Sequence, residues 1–568
     1  MRLFVLSLSV FLASCSSLPD IPGWSNTASD PISQTIVEIE AGPAMIAAAN
    51  PHAVEAGLEA LRDGGTALDA AIAIQTTLSL VEPQSSGIGG GAFMVYYDAA
   101  TGETTVYDGR EVAPAAVTPE HWLDENGEPL PFLTAWTSGR AVGVPGVIAM
   151  LAMAHEDHGA LDWADGFTFA TELSDSGFEI SPRMYSFMER VNQIRDVSTT
   201  PAMQNYFYDE AGNPFPIGHL LRNPEYAATL RSVANDWRNF YTGDIAQSII
   251  TAANDGALPG NMTMEDLANY RPIRREPVCR EYRIWNVCSA PPPASGGVIV
   301  NELLGMLERY DMSATGPETV EGWRRFIEAS RLAYSDRDAF IADTAFVGVP
   351  VEALLSDDYI TARSALIERD TAIPTIPAGE PDVPGTSHFV VVDSAGNVVS
   401  MTTTVEFLFG SNRMAGGFFL NNQLTDFNFN PLNADGSPAA NAPAGGKRPR
   451  SSMSPTIVFN ADGEFELATG SPGGASIIAY VSKTLVGMLD WGLTPLEAIE
   501  LPNVVGRGDI IRMEETFSPE LADELRAISF TLDANRTENS GLHIIRRLED
   551  GALIGGADPR REGVVGEP

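Results

Sequence analysis

The stretch VPGTSHFVVVD, residues 383–393, decides how the chain folds. A Pro-Gly break gives way to two hydroxyl residues, then to His388 and a β-branched run. Phe389, Val390, Val391 and Val392 follow without a polar break, so a strand here is apolar on both faces. Such a strand needs a covering layer on each side. Next, DSAGN at residues 393–397 signals a hairpin turn, and NVVSMTTTV returns as a second strand. If the turn centres on Ala395, Thr386 lies opposite Thr404. Two hydroxyls then meet where the first strand begins.

Outward from this hairpin, helical patterns run through VEAGLEALRDGG and TALDAAIAIQTTLSL, residues 54–80, and through residues 320–340 and 477–492. Gly64-Gly65 reads as a helix stop, and Thr66 with Asp69 as the cap of the next helix. Abundant helices beside strands buried on both faces imply a layered α/β sandwich. The piece GIGGGA, residues 87–92, has the glycines of a dinucleotide loop, but a helix precedes it and the strand AFMVYYD follows. That is the reverse of the order such a loop requires, so the glycines read as close backbone packing. Residues 366–385 lose periodicity and are rich in Pro, Thr and Ala, the composition of an exposed, cleavable loop.

The chain has 568 residues, 44% hydrophobic and 19% charged, with 75 acidic against 35 basic residues and a net charge of −40. Lacking a basic stripe, it is not expected to bind nucleic acid, and an anionic substrate would need a local cation. Residues 1–14 read as an export signal, and Leu12-Ala13-Ser14-Cys15 resembles a lipoprotein box with Cys15 as the lipidated residue. Ser16 favours the outer membrane, and polar residues 15–41 suit a tether on the periplasmic side. Contact with the membrane is expected through the lipid anchor alone. Cys279 and Cys288 flank a strand-like REYRIWNV, and either a disulfide or two buried thiols fits. No CxxC spacing exists, which disfavours a zinc site; no metal and no cofactor is expected.

A hydroxyl is a poor nucleophile unless a base takes its proton. No GxSxG elbow is present, and His388 reads as a packed strand residue. If the chain were cut between Gly385 and Thr386, the threonine would gain its own α-amino group, with a pKa of about 7.7 to 8.0, as a base.

Here the residues resemble a family. The stretches DGGTALDAAIAIQTTLSLVEPQSSGIGGGAFMVYYD, YDGREVAP, GVPG, PPPASGG, TSHFVVVD, FLNNQLTDF, KRPRSSMSPTIV and ATGSPGG, in this order, resemble the γ-glutamyltranspeptidases (glutathione hydrolases), N-terminal-nucleophile hydrolases. The resemblance implies a four-layer αββα sandwich built from one self-cut precursor. Residues 42–385 would be the large subunit and residues 386–568 the small one, paired as a heterodimer in one composite domain. The implied activity is cleavage of γ-glutamyl amides such as glutathione, with transfer to water or to an amino acid or peptide.

By the same resemblance Thr386 would be processing site and nucleophile, and Thr404 its hydroxyl partner. Gly473 and Gly474 would donate N–H groups to the oxyanion. Arg110, Ser451 and Ser452 would take the substrate α-carboxylate; Asp426, Gln423 and Glu406 would take its ammonium. Glu406 stands where well-known members carry Asn. Residues 428–447 correspond to a substrate-covering loop, here with Phe429 but no Tyr or Trp. Two other readings share the scaffold: a cephalosporin (glutaryl) acylase, which the ammonium partner Asp426 argues against, and a catalytically silent binding lipoprotein.

Overall fold

The computed structural model describes residues 39–195, 200–368, 371–374, 385–534 and 540–568. The signal, Cys15 and most of the tether lie outside these, as do residues 375–384 of the cleavable loop. In chain order the strands of the two large sheets begin with β1 (Ile39–Ala41), β2 (Met45–Ala48), β3 (Gly91–Asp98) and β4 (Glu103–Asp108). They continue with β5 (Ile273–Arg275), β6 (Val278–Tyr282), β7 (Trp285–Ser289), β8 (Ser387–Val392) and β9 (Val398–Thr404). The last are β10 (Thr456–Phe459), β11 (Phe465–Gly470), β12 (His543–Arg547), β13 (Leu553–Ala557) and β14 (Val564–Gly566). One seven-stranded sheet has the order β14-β2-β8-β9-β3-β4-β5, the other β1-β13-β12-β11-β10-β7-β6.

The unbroken apolar run of β8 is divided between two cores. Phe389 and Val391 face one way, into a core shared with α1 (Pro51–Arg62) and α2 (Ala67–Val81). Val390 and Val392 face the other, onto Ile457, Leu467 and Ile545 of the second sheet. That sheet is covered in turn by α3 (Asn301–Leu307), α4 (Val320–Phe340) and α5 (Ile477–Leu489). The layers are therefore helix, sheet, sheet, helix, as the resemblance implied.

The expected start of α2 is present: Thr66 and Asp69 form a reciprocal capping box. Gly64, just past α1, adopts φ +89°, a conformation costly to residues with a Cβ. Asp393 fixes the hairpin turn by accepting from the N–H groups of Ala395 (2.9 Å) and Asn397 (3.0 Å), and its other oxygen accepts from Ala67 N at 2.9 Å. One carboxylate thus ties the β8–β9 turn to the start of α2.

The expected tether stops short of residue 41, because Ile39–Ala41 pair with β13 and satisfy its otherwise open edge. Cys279 and Cys288 sit directly opposite in the β6–β7 register and are joined by a disulfide.

Each sheet interleaves strands from both sides of the 385/386 junction: β8 pairs with β2, β9 with β3, β10 with β7, and β13 with β1. A cut there is expected to leave the fragments together, because separating them would break backbone ladders in both sheets. Gel filtration of cut protein should give one species and a denaturing gel two bands. Fragments eluting separately under native conditions would contradict this.

Candidate functional site

The register of the hairpin, Ser387↔Thr403 and His388↔Thr402, brings Thr386 opposite Thr404. Thr386 Oγ1 donates to Thr404 Oγ1 at 3.2 Å, and Thr404 Oγ1 donates to the carbonyl oxygen of Gly385 at 2.6 Å. The N–H of Glu406 in turn donates to Thr404 Oγ1 at 2.8 Å. A hydroxyl therefore sits beside the Gly385–Thr386 peptide, with a second hydroxyl polarising its carbonyl.

Glycines make this approach possible. A Cβ on Gly385 would lie 2.1 Å from Glu406 O, and one on Gly90 would lie 1.9 Å from Thr404 O. The glycines of GIGGGA thus serve close backbone packing, as expected from their order in the sequence. Glu406 itself has φ +80°, and this backbone turn puts its N–H on Thr404.

His388 is wholly buried beside the strand, with Nδ1 3.0 Å from Thr402 Oγ1, and burial holds its pKa well below the usual value. The packed strand position agrees with the reading of His388 from the sequence, and burial favours its neutral form. A Cβ on Gly470 would lie 2.3 Å from its ring, so the end of β11 presses on the strand that follows Thr386. From there Ser471-Pro472-Gly473-Gly474 leads to α5. Gly473 and Gly474 adopt φ +136° and +57°, and Tyr334 fixes the turn by donating from Oη to Ala475 O at 2.5 Å. Two successive glycines ahead of a helix leave N–H groups with no Cβ obstructing approach, a geometry suited to an oxyanion.

The charged groups gather around Arg110. Its guanidinium is buried, with Nε donating to Pro449 O at 3.1 Å and Nη2 to Arg450 O at 2.7 Å. It pairs with Asp426 and lies 3.5 Å from Glu111 Oε2. The Asp426 side chain is 33% exposed against 1% for Arg110, so the aspartate is the side of the pair that meets solvent. Gln423 Nε2 donates to Asp426 Oδ2 at 2.6 Å, and Asn441 Nδ2 donates to its backbone carbonyl at 2.6 Å. The sequence assigned Arg110 and Asp426 to opposite ends of one ligand; the structure makes them one ion pair. A zwitterion can exchange partners with such a pair, its carboxylate facing the guanidinium and its ammonium the aspartate.

Ser451 and Ser452 lie beside this pair, at the chain that supplies the Arg450 carbonyl. The motif PPPASGG holds them: Ser451 N donates to Pro293 O, and Ser295 N donates to Ser451 O, each at 2.9 Å. Ser451 Oγ accepts from Met453 N at 3.2 Å, and Ser452 Oγ accepts from Arg337 Nη2 at 2.5 Å. Both hydroxyls are thus fixed as acceptors and can still donate, as a carboxylate requires.

Two buried carboxyls hold their protons unusually well. Glu111 is pushed up to about 8, mainly by burial. Glu406 is raised well above the usual carboxyl range, by burial first and by Asp426 second; Asn422 donates to it. Two carboxyls, Asp426 and Glu406, thus each accept from a neighbouring side-chain amide, Gln423 and Asn422 respectively. Phe429, the one aromatic residue of the covering-loop segment, stacks on Trp122 with centroids 4.9 Å apart. Lys447 fixes the same loop through the carbonyls of Ala440 and Ala442, at 2.7 and 2.9 Å.

Several partners were missed. Glu111 and Asn422 lie inside YDGREVAP and FLNNQLTDF, next to Arg110 and Gln423. Asn441 sat in the covering loop with no pattern to mark it. Arg561, whose Nη1 donates to the Thr386 carbonyl at 2.7 Å, lies 175 residues away and had no signal.

The family model for gamma-glutamyltranspeptidase matches residues 53–567. The glutathione hydrolase proenzyme of Bacillus subtilis strain 168 is 35% identical over 545 residues, 92% of this chain and 91% of that protein. That of Escherichia coli K12 is 34% identical over 536 residues, again 92% and 91%. Among solved structures, a cephalosporin acylase from Bacillus halodurans superposes with a TM-score of 0.83 at 27% identity, covering 95% of this chain and 98% of that one. With a family model spanning nearly all of the folded body and relatives of this extent, the chain belongs to the gamma-glutamyltranspeptidase family.

Proposed function

We propose that this protein is a self-processing γ-glutamyl hydrolase/transpeptidase. The observation that carries this reading is the contact of Thr386, Thr404 and the Gly385 carbonyl, set in the same fold as a buried Arg110 paired with a part-exposed Asp426. In processing, Thr386 Oγ1 attacks the carbonyl carbon of Gly385 while Thr404 donates to its oxygen. The peptide C–N bond breaks, an ester forms, and water hydrolyses it. Gly385 keeps a carboxylate and Thr386 a free α-amine.

In turnover that amine takes the Oγ1 proton as the oxygen attacks the γ-amide carbonyl. The N–H groups of Gly473 and Gly474 receive the developing oxyanion. The proton passes to the departing amine, and a γ-glutamyl ester remains on Thr386. Water, or the amine of an amino acid or peptide, then releases it. Arg110, Ser451 and Ser452 hold the α-carboxylate; Asp426, Gln423 and Glu406 face the ammonium. Residues 386–568 form the small subunit of a heterodimer, and Cys15 anchors the exported protein by a lipid, on the periplasmic side of a bacterial envelope.

A glutaryl acylase reading leaves Asp426 and Glu406 without an ammonium to meet. Parallel assays with γ-glutamyl and glutaryl anilides test this: we expect a preference of about 100-fold or more for the γ-glutamyl compound, the scale of a well-placed charge pair. Equal rates would overturn the substrate assignment.

Glu406 gives a pH signature. An ammonium beside it favours its ionised form, so substrate binding releases its proton, and KM should fall as pH rises through its elevated pKa. Glu406→Gln is expected to flatten that dependence and to raise KM at high pH by about 3- to 10-fold. The same shift acts on stability. The unfolded carboxyl ionises near about 4.3, the folded one higher, so the wild type loses stability as pH rises between the two values. The Gln variant should therefore melt higher than the wild type at pH 8 and no differently at pH 4. A variant with an unchanged KM profile would remove Glu406 from the ammonium side.

A further inference from the structure

The β8 ladder begins at Ser387, so Thr386 lies just outside strand pairing. A cut before Thr386 makes it a chain end, and chain ends fray unless they are tied. Its α-amine and Oγ1 must nevertheless keep a fixed relation to the oxyanion donors, because a displacement of about 1 Å in such a site costs on the order of 100-fold in rate.

One contact meets this need from the side the cut does not touch. Arg561 Nη1 donates to the Thr386 carbonyl at 2.7 Å, and its Nε donates to Ser540 O at 3.0 Å. The side chain is buried, and its stem passes over Gly541, where a Cβ would lie 2.5 Å from Arg561 Cδ. Beside it, Glu82 at the end of α2 lies 3.5 Å from Arg183 Nε, and Glu562 Oε1 accepts from Arg183 N at 2.9 Å. The guanidinium is held by its bonds to the Thr386 and Ser540 carbonyls, and lies among charges of both signs: Glu82 favours its charged form and Arg183 opposes it.

We propose that Arg561 is a positioning residue for the nucleophile: it clamps the Thr386 carbonyl and so fixes the direction of the free amine and Oγ1 once the chain is cut. The inference rests on the reading of Thr386 as nucleophile. It acts on the chemical step and not on substrate affinity, because nothing in the contact reaches the Arg110 pocket.

The test uses Arg561→Gln, Arg561→Lys and Glu82→Gln in the full chain, with the cut fraction, kcat and KM for a γ-glutamyl anilide, and Tm measured for each. Arg561→Gln should lower kcat of the cut protein about 10- to 100-fold with KM within about twofold. Arg561→Lys, which keeps a charged donor, should recover part of that loss. Glu82→Gln disturbs the same buried cluster without touching Thr386, and should keep kcat within about twofold even where Tm falls. If Arg561→Gln fails to fold, Arg561→Lys decides: a kcat about 3- to 10-fold below wild type at unchanged KM supports the clamp, and wild-type kcat overturns it. A kcat loss in Glu82→Gln equal to that of Arg561→Gln would mean general destabilisation and would also overturn it. Failure of the nucleophile assignment looks different: the Thr386→Ala protein would then still be cut.

Discussion

Replacing Thr386 with Ala is expected to leave a single uncut chain without measurable γ-glutamyl anilide cleavage, a loss of about 10⁴-fold or more, as for other enzymes deprived of a nucleophile. Thr386 Oγ1 is the group beside the Gly385 carbonyl, and its hydroxyl neighbour Thr404 is already committed as donor to that carbonyl. Ala removes the attacking oxygen and creates a cavity no larger than a hydroxymethyl group's difference, so folding should survive. Thr386→Ser keeps an oxygen and should be cut, more slowly, with partial activity. Denaturing gels and steady-state rates on all three proteins check this. Persistent cutting in the Ala variant would remove Thr386 from both roles.

Arg110→Lys is expected to lower kcat/KM by about 100- to 1000-fold, chiefly through KM. The guanidinium makes contacts in three directions, to Pro449 O, to Arg450 O and to the carboxylates of Asp426 and Glu111. Lys offers one compact head in place of a planar fork, and cannot keep that geometry while presenting two donors to a carboxylate. Weakening a close, hydrogen-bonded charge contact to a bound ligand costs about 2 to 5 kcal/mol of binding, and a contact held equally in ground and transition states registers in KM. Kinetics with a γ-glutamyl anilide measure it. A change of less than about threefold would show that the α-carboxylate is bound elsewhere.

Much of the fold was legible because its central hairpin is local. The DSAGN turn and the period-two rule set the register of β8 against β9, and with it the Thr386–Thr404 contact. The unbroken Phe389–Val392 run told of two covering layers without telling which residue met which. Here alternation decides: odd positions face α1 and α2, even positions the second sheet. The long-range contacts were not legible. Asp393 caps α2 across 326 residues, and Arg561 reaches Thr386 across 175, through topology that no local pattern encodes. The disulfide was undecided in sequence because two strand cysteines bond only when the register places them opposite each other, as Cys279 and Cys288 are. The arrangement of the charged residues was not legible either. Arg110 and Asp426, assigned to opposite ends of a ligand, are in contact, beside Glu406 and Glu111, whose pKa values burial raises.

The most direct test of the central claim is N-terminal sequencing of the small fragment from freshly purified protein. The expected sequence is Thr-Ser-His-Phe, beginning at Thr386. A fragment that begins at any other residue, or a fully active protein that remains one chain, would contradict it.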